Sequence, residues 1–385
     1  MSDTPSRRKF FFTGLAMSGA PGLAAPQKQA TLRYRTLGKT GLRVTELGCG
    51  SEAVSDYTVL ERAADLGINF FDTARAYEGG DNERVVKAAL GARRKSVIIS
   101  SRSYGKDART IREHLDESLK EIGTDYLDIW YIGSKDSPEE VTDAMLEVQL
   151  AAQKAGKIRF RGFSTHRLNR MLPFITTKGR FDVIQIPYNF AIGTRRDPQK
   201  MDGTNLENCL ADLKRAGIGV VAMKVMAGGY RTRTPDNPLY SLYQRPNAHA
   251  AALRWALRDD RIQTTSVRMS DHERLEENVH ALASPFSEDD RKTLAAHIED
   301  IKPLYCRMCG ACDGACPNGL PVSDLARYAM YAQGYGEFDM GYRRYSELPE
   351  ELRSVRCSDC AKCAVQCPNG VQVQAQLNLA QHLFS

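Results

Sequence analysis

The sequence predicts an α/β protein: a (β/α)8 TIM barrel followed by a small, mostly helical module. Two observations predict the barrel. Apolar runs of strand length alternate with amphipathic runs of helix length about eight times over roughly 250 residues. No Gly-x-Gly-x-x-Gly turn follows an early run, as the rival doubly wound sheet would want. A third observation sets off the module: eight of the ten cysteines fall between positions 306 and 367, so the tail carries a chemistry of its own.

Residues 1–25 read as an export leader, since Ser6-Arg7-Arg8-Lys9-Phe10-Phe11-Phe12 precedes the weakly apolar run 13–20 and then Leu23-Ala24-Ala25. Paired arginines with a nearby Phe resemble a twin-arginine (Tat) signal, whose pathway exports proteins already folded; a disordered basic tail is the alternative. The expected location is periplasmic or otherwise exported. The stretch is too short and too broken by Gly and Pro to span a bilayer, and no other run predicts an integral membrane segment. Net charge is +6, and without the leader residues 26–385 hold 50 basic and 46 acidic side chains, a balance of +4 too mild to imply nucleic acid. A content of 42% hydrophobic and 26% charged residues is that of a globular protein.

The barrel domain is expected over residues 32–298. It opens with a hairpin, two short alternating runs about Gly38-Lys39-Thr40-Gly41. Strands follow at Val44–Leu47, Ile68–Phe71, Val97–Ser101, Tyr126–Ile132, Ile158–Phe163, Val183–Ile186, Gly219–Met223 and Thr264–Val267. Helical patterns lie between them, among them Glu83–Leu90, Thr110–Ile122, Glu139–Ala155, Asn205–Ala216 and Asp271–Leu282. Ser287–Ile298 ends the barrel, and Lys302-Pro303 joins it to the module at 302–385.

Within the module, Cys306, Cys309, Cys312 and Cys316 recur 51 positions later as Cys357, Cys360, Cys363 and Cys367, and Pro-Asn-Gly follows the fourth cysteine both times. Thiolates at i, i+3 and i+6 on a tight loop suit three corners of one cubane, while the cysteine before proline turns away. Eight ligands for two [4Fe-4S] clusters are predicted; four-cysteine zinc sites favour paired Cys-x2-Cys motifs instead, and disulfides are the other alternative. The arrangement resembles bacterial two-cluster ferredoxins, which implies that Cys306, Cys309, Cys312 and Cys367 hold one cluster and Cys357, Cys360, Cys363 and Cys316 the other. The linker between the triplets carries Tyr328, Tyr331, Tyr335, Phe338, Tyr342 and Tyr345, read as rings that pack against the barrel.

At the second strand, Phe71-Asp72-Thr73-Ala74-Arg75-Ala76-Tyr77, with the opening hairpin and Arg274-Leu275-Glu276-Glu277-Asn278, resembles the aldo/keto reductase family, and the module points to a subgroup ending in ferredoxin-like clusters. The resemblance implies an oxidoreductase acting on a small carbonyl or alcohol with NADP(H), through an Asp, a Tyr, a Lys and a His. Asp72 and Tyr77 match the first two. Arg102 stands where Lys is usual, able to lend positive charge that favours tyrosinate but not to relay a proton. Gly133 follows the fourth strand where His is usual, so His166 or Lys224 is expected to fill that place. Ser164, Gln185, Gly228, Arg268, Arg274 and Asn278 match the family's cofactor-binding positions, though Thr165 and Met223 depart from the pattern. The expectation is an iron–sulfur oxidoreductase passing electrons to an outside redox partner protein; the alternative is an electron-transfer or binding subunit with a degenerate barrel site.

Overall fold

The computed structural model describes residues 32–193, 206–227, 245–335 and 337–385; the leader and Gly228 lie outside them. A hairpin, β1 (Tyr34–Thr36) and β2 (Arg43–Thr45), precedes a parallel barrel. Its strands are β3 (Cys49–Gly50), β4 (Phe70–Asp72), β5 (Ile98–Ser103), β6 (Leu127–Ile132), β7 (Ile158–Ser164), β8 (Val183–Pro187) and β9 (Gly219–Met223), closed by β10 (Thr264–Thr265) and β11 (Val267–Arg268). β10 and β11 are the halves of one eighth strand: Thr265 pairs with Ala222 of β9, and Val267 pairs with Cys49 of β3. The barrel is thus the (β/α)8 one that the alternation predicts.

The first strand requires a correction. Val44 belongs to the hairpin, paired with Arg35, and the first barrel strand is Cys49–Gly50. The Thr265 amide still bonds the Glu46 carbonyl at 3.1 Å, so residues 46–48 bridge hairpin and barrel. Gly48 makes this possible, because a Cβ there would stand 2.1 Å from the Thr265 carbonyl oxygen.

The hairpin stoppers one end of the barrel. Leu37, Leu42 and Val44 pack with Phe70, Ile98, Ile129, Tyr131, Val183 and Val221 in an interior cluster, and the Lys39 amide bonds the Gly217 carbonyl just before β9. That is the end where strands begin. Functional side chains are therefore found at the opposite, carboxyl-terminal end, as barrel architecture dictates.

Helices wrap the strands with the capping their sequences specify. Asp107 accepts from the Thr110 amide at 2.8 Å to start Ala108–Ile122, and Ser287 forms a capping box with Asp290 to start Glu288–Ile301. On the latter helix His297 is buried beside Phe190, and burial lowers its pKa from 6.5 to about 4 against the pull of Asp300. The unfolded chain protonates first, so this residue's contribution to stability is complete above pH 6.5 and is lost as pH falls toward 4. His297→Gln is expected to flatten this part of the stability profile by up to about 1.4 kcal/mol per pH unit. Urea midpoints at neutral and mildly acid pH check it; an unchanged slope would remove His297 from the account.

The module is helical, with Val322–Gly334, Phe338–Ser346, Glu350–Ser354 and Val373–Phe384. Tyr328, Tyr331, Tyr335 and Tyr345 are buried, as the packing expectation requires, whereas Phe338 and Tyr342 are exposed and stack on each other. Charged side chains fasten the module to the barrel. Arg167, after β7, bonds Asp313 at 2.7 Å and Asp324 at 2.8 Å, and Arg344 donates to the Ser134 carbonyl at 2.6 Å. Arg327 pairs with Asp136 at 2.5 Å; burial opposes the Asp136 charge, but Arg327 and the His166 backbone amide hold its carboxyl well below the usual range. Among the described residues no helix is long and apolar enough to cross a membrane.

Candidate functional site

The strand ends deliver their polar side chains to one cavity. Asp72 ends β4, Arg102 lies in β5, Ser164 ends β7, Gln185 lies in β8 and Arg268 ends β11, and all five line it together with Tyr77, His166 and Lys224. Tyr335, Glu337 and Met340 of the module line the same space. Of the site residues named from the sequence, Asp72, Tyr77, Arg102, His166, Ser164, Gln185 and Arg268 thus share one cavity. Arg274 and Asn278 are not in the lining; they lie on the helix His272–Ala281, where Arg274 donates to Ser270.

Asp72 is the hub. Its carboxylate accepts a forked pair from Arg102, the Ser100 hydroxyl at 2.6 Å, the Gln185 amide at 2.9 Å and the Ser266 hydroxyl at 2.8 Å. Ser266 reaches it because the eighth strand breaks there. Arg102 also donates to the Gln185 carbonyl oxygen and to the Thr73 carbonyl. Burial works against the Arg102 charge, but Asp72 carries its pKa well above the ordinary value. Nη2 alone meets both Asp72 oxygens, which leaves Nη1 for the Gln185 side-chain oxygen and Nε for the Thr73 carbonyl, three donor atoms where lysine has one.

Arg102 acts on Tyr77 in the expected direction but is outweighed. Burial first, then the neighbouring Tyr104, push the Tyr77 pKa well above 10.0, and Arg102 only partly opposes them. Glu52 and Asp72 add to the upward push, so Tyr77 is a phenol and not a tyrosinate. Tyr104 was missed in the sequence. It sits two residues beyond Arg102 on the same strand face, which a period-two reading would have shown.

His166 fills the cavity wall opposite. Burial takes its pKa well below 6.5, so the imidazole is neutral; its backbone amide donates to Asp136 at 2.7 Å, and its ring meets Tyr331 edge-on at 5.7 Å. The Ser164 hydroxyl accepts from the Ser134 amide at 3.0 Å, and Thr165 donates to Asp136. At the vacated position, Gly133, the Tyr104 ring stands where a Cβ would lie 3.0 Å from it, and deeper in the barrel the Arg102 guanidinium is 5.2 Å from the centre of the Tyr131 ring. Ser134 and Lys224, both at strand ends, adopt φ of 54° and 55°, a left-handed conformation that non-glycine residues keep mainly at functional positions.

Among the described residues the cavity encloses about 140 Å³, and two side chains that match the family's cofactor positions are committed to other partners there. Gln185 spends both ends of its amide on Asp72 and Arg102. Arg268 is paired with Glu52 and, at 3.2 Å, with Glu337. Glu337 and Tyr335 were missed as site residues because their approach to the barrel is a matter of tertiary packing, invisible in local spacing.

In the module, the cysteines group as the ferredoxin resemblance implies. Cys306 is influenced by Cys309 and Cys367, Cys312 by Cys306, Cys309 and Cys367, and Cys357 by Cys316, Cys363 and Cys360. Burial and these neighbours raise Cys306 to about 11, Cys312 to about 12 and Cys357 to about 11. Such thiols ionise together only when a cationic centre binds them. The repeated Pro-Asn-Gly has a role that the sequence reading left unassigned: Asn369 donates to Cys309 at 3.4 Å and Asn318 to Cys360 at 3.7 Å. Each asparagine thus bonds a sulfur of the set that its neighbouring cysteine joins. Among the described residues no three His, Cys, Asp or Glu side chains converge on a single ion position.

Comparisons with known proteins agree with this division. The pattern of the aldo/keto reductase family matches residues 46–299, and that of the 4Fe-4S dicluster domain matches residues 305–372. An uncharacterized oxidoreductase from Bacillus subtilis (strain 168) is 26% identical over 70% of this chain and 97% of its own length. L-glyceraldehyde 3-phosphate reductase from Escherichia coli (strain K12) is 28% identical over 72% of this chain and 96% of its own. Among solved structures, the holo form of an aldo-keto reductase from Bacillus halodurans superposes with a TM-score of 0.56 at 25% identity, covering 69% of this chain and 96% of that one. A barrel with its polar strand ends in one cavity, matched by the family pattern along its length, makes this chain a member of the aldo/keto reductase family, an oxidoreductase extended by a 4Fe-4S dicluster domain.

Proposed function

We propose that the chain is an exported iron–sulfur oxidoreductase that interconverts a small carbonyl compound and its alcohol at the barrel mouth, exchanging electrons through its module with a redox partner protein. The observation that carries this reading is the shared cavity: Asp72, Tyr77 and Arg102 of the barrel and Tyr335, Glu337 and Met340 of the module face the same space. The two thiolate sets, Cys306, Cys309, Cys312 and Cys367 with Cys316, Cys357, Cys360 and Cys363, would hold [4Fe-4S] clusters, which supply single electrons when bound. Export by the twin-arginine route, proposed from the leader, agrees with a protein that folds around its clusters before leaving the cell.

Carbonyl reduction consumes two electrons and two protons: the electrons would come from the redox partner through the clusters, and with one proton drawn from solvent they would make the new C–H bond. Tyr77, a phenol, supplies the other proton to the substrate oxygen and is itself reprotonated from solvent. Arg102 and Asp72 hold the floor of the cavity rigid, and the neutral His166 offers a hydrogen bond from the far wall. No step is assigned to NADP(H), since Gln185 and Arg268, which match its binding positions, are bonded to Asp72, Arg102, Glu52 and Glu337.

A second reading is a binding or electron-transfer subunit whose barrel no longer turns over. The closure of Asp72, Arg102 and Gln185 upon one another favours it. Anaerobic purification with iron analysis, nucleotide extraction and assay of carbonyl turnover separates the two. Tyr77→Phe is expected to lower turnover by at least about a hundredfold, the ordinary contribution of a positioned acid, with the paramagnetic signals intact. Turnover that survives the substitution removes Tyr77 as the proton donor, and a wild-type protein without turnover leaves the second reading.

A further inference from the structure

Charge in the cavity is balanced by the module. Among the described lining residues Arg102, Lys224 and Arg268 are cationic, and Asp72, Glu52 and Glu337 are anionic. Three charges of each sign cancel, and burial keeps His166 neutral. Glu337 completes the balance. Its Oε1 stands 3.7 Å from the Lys224 ammonium and 3.2 Å from the Arg268 guanidinium, with the Glu337 side chain only 10% exposed. Its other oxygen, Oε2, is buried and has no hydrogen-bond partner among the described residues.

A buried carboxylate oxygen without a donor is costly, and it is relieved by any ligand that brings an O–H to it. Among the described lining residues an anion entering the same space would meet no spare positive charge, and it would have to displace Glu337 from two cations while losing its own water. We propose that Glu337 selects the substrate: the cavity takes an uncharged hydroxy-carbonyl compound, whose hydroxyl donates to Glu337 Oε2, and Glu337 rejects carboxylates and phosphates, dinucleotides included. Glu337 belongs to the module, so the barrel's ligand is chosen by a residue outside the barrel. This inference rests on the cavity being the substrate site, as proposed above.

The test uses the full-length, cluster-loaded protein and three probes: dihydroxyacetone, pyruvate as an anion of equal size, and NADPH. Calorimetric binding, which needs no turnover, is expected for dihydroxyacetone and not for pyruvate or NADPH. Glu337→Gln keeps the shape and removes one negative charge. It is expected to weaken dihydroxyacetone about tenfold, the loss of one hydrogen bond to a charged acceptor, and to strengthen pyruvate about tenfold or more through the uncovered positive charge. Arg268→Gln shifts the balance the other way and is expected to leave pyruvate unbound. Wild-type protein that prefers pyruvate or NADPH, or that binds none of the three, overturns the inference. So does a discrimination unchanged in both variants while their cluster spectra match the wild type. Iron content and the effect of Tyr77→Phe report on the proposed function separately, so failure here is distinguishable from failure of that reading.

Discussion

Arg102→Leu is expected to cost about 3–5 kcal/mol of folding stability, because it strands the Asp72 carboxylate in the interior with its main counter-charge gone. Asp72 and Arg102 are 2% and 4% exposed, so solvent screens neither. Leucine would also leave the Gln185 and Thr73 carbonyl oxygens without their donor. Arg102→Lys keeps a charge beside Asp72 and is expected to recover most of the loss, though a single nitrogen cannot also reach the Gln185 and Thr73 oxygens that Nη1 and Nε serve. Chemical denaturation of the two variants with the module's clusters intact measures both effects. A leucine variant within about 1 kcal/mol of wild type, the ordinary range for a point substitution, would mean that Asp72 is protonated or hydrated in place and that the hub is not ionic.

Cys316→Ser is expected to empty the cluster associated with the second triplet, although Cys316 sits in the loop of the first. Iron should fall from about eight to about four per chain, since each cubane holds four. The signal remaining should be that of the set formed by Cys306, Cys309, Cys312 and Cys367. Cys367→Ser should give the mirror result. Because binding free energy at such a site is folding free energy, each variant is also expected to melt well below the wild type, the module first. Iron analysis and paramagnetic resonance of dithionite-reduced protein check the pair of predictions. A Cys316 variant that retains both signals would break the exchange of fourth ligands between the sets.

Much of this was legible in the sequence, and the parts that were not share a physical cause. Strand and helix periodicities located the barrel, since an element of five or more residues buries enough side chains to leave a pattern. Cys49–Gly50 is too short to leave one, so Val44–Leu47, with its clearer alternation, was taken for the first strand. Cysteine spacing located the two sets, because tight loops impose their own geometry. The partners of Gln185 and Arg268 were not legible. Each matched a family position by identity, yet the buried charges of Asp72 and Glu337 compete for them, and that competition exists only once the chain is folded. Tyr335 and Glu337 reach the site through the docking of the Val322–Gly334 helix, which no local pattern encodes.

The hairpin across the amino-terminal end of the barrel has a further consequence. A tube stopped at its base admits molecules only from above, and above stands a wall built partly from the last eighty or so residues. Altering that wall changes what may enter without touching the strands beneath. Diversification of this protein's chemistry would then be written in the appended segment, while the older scaffold stays as it is.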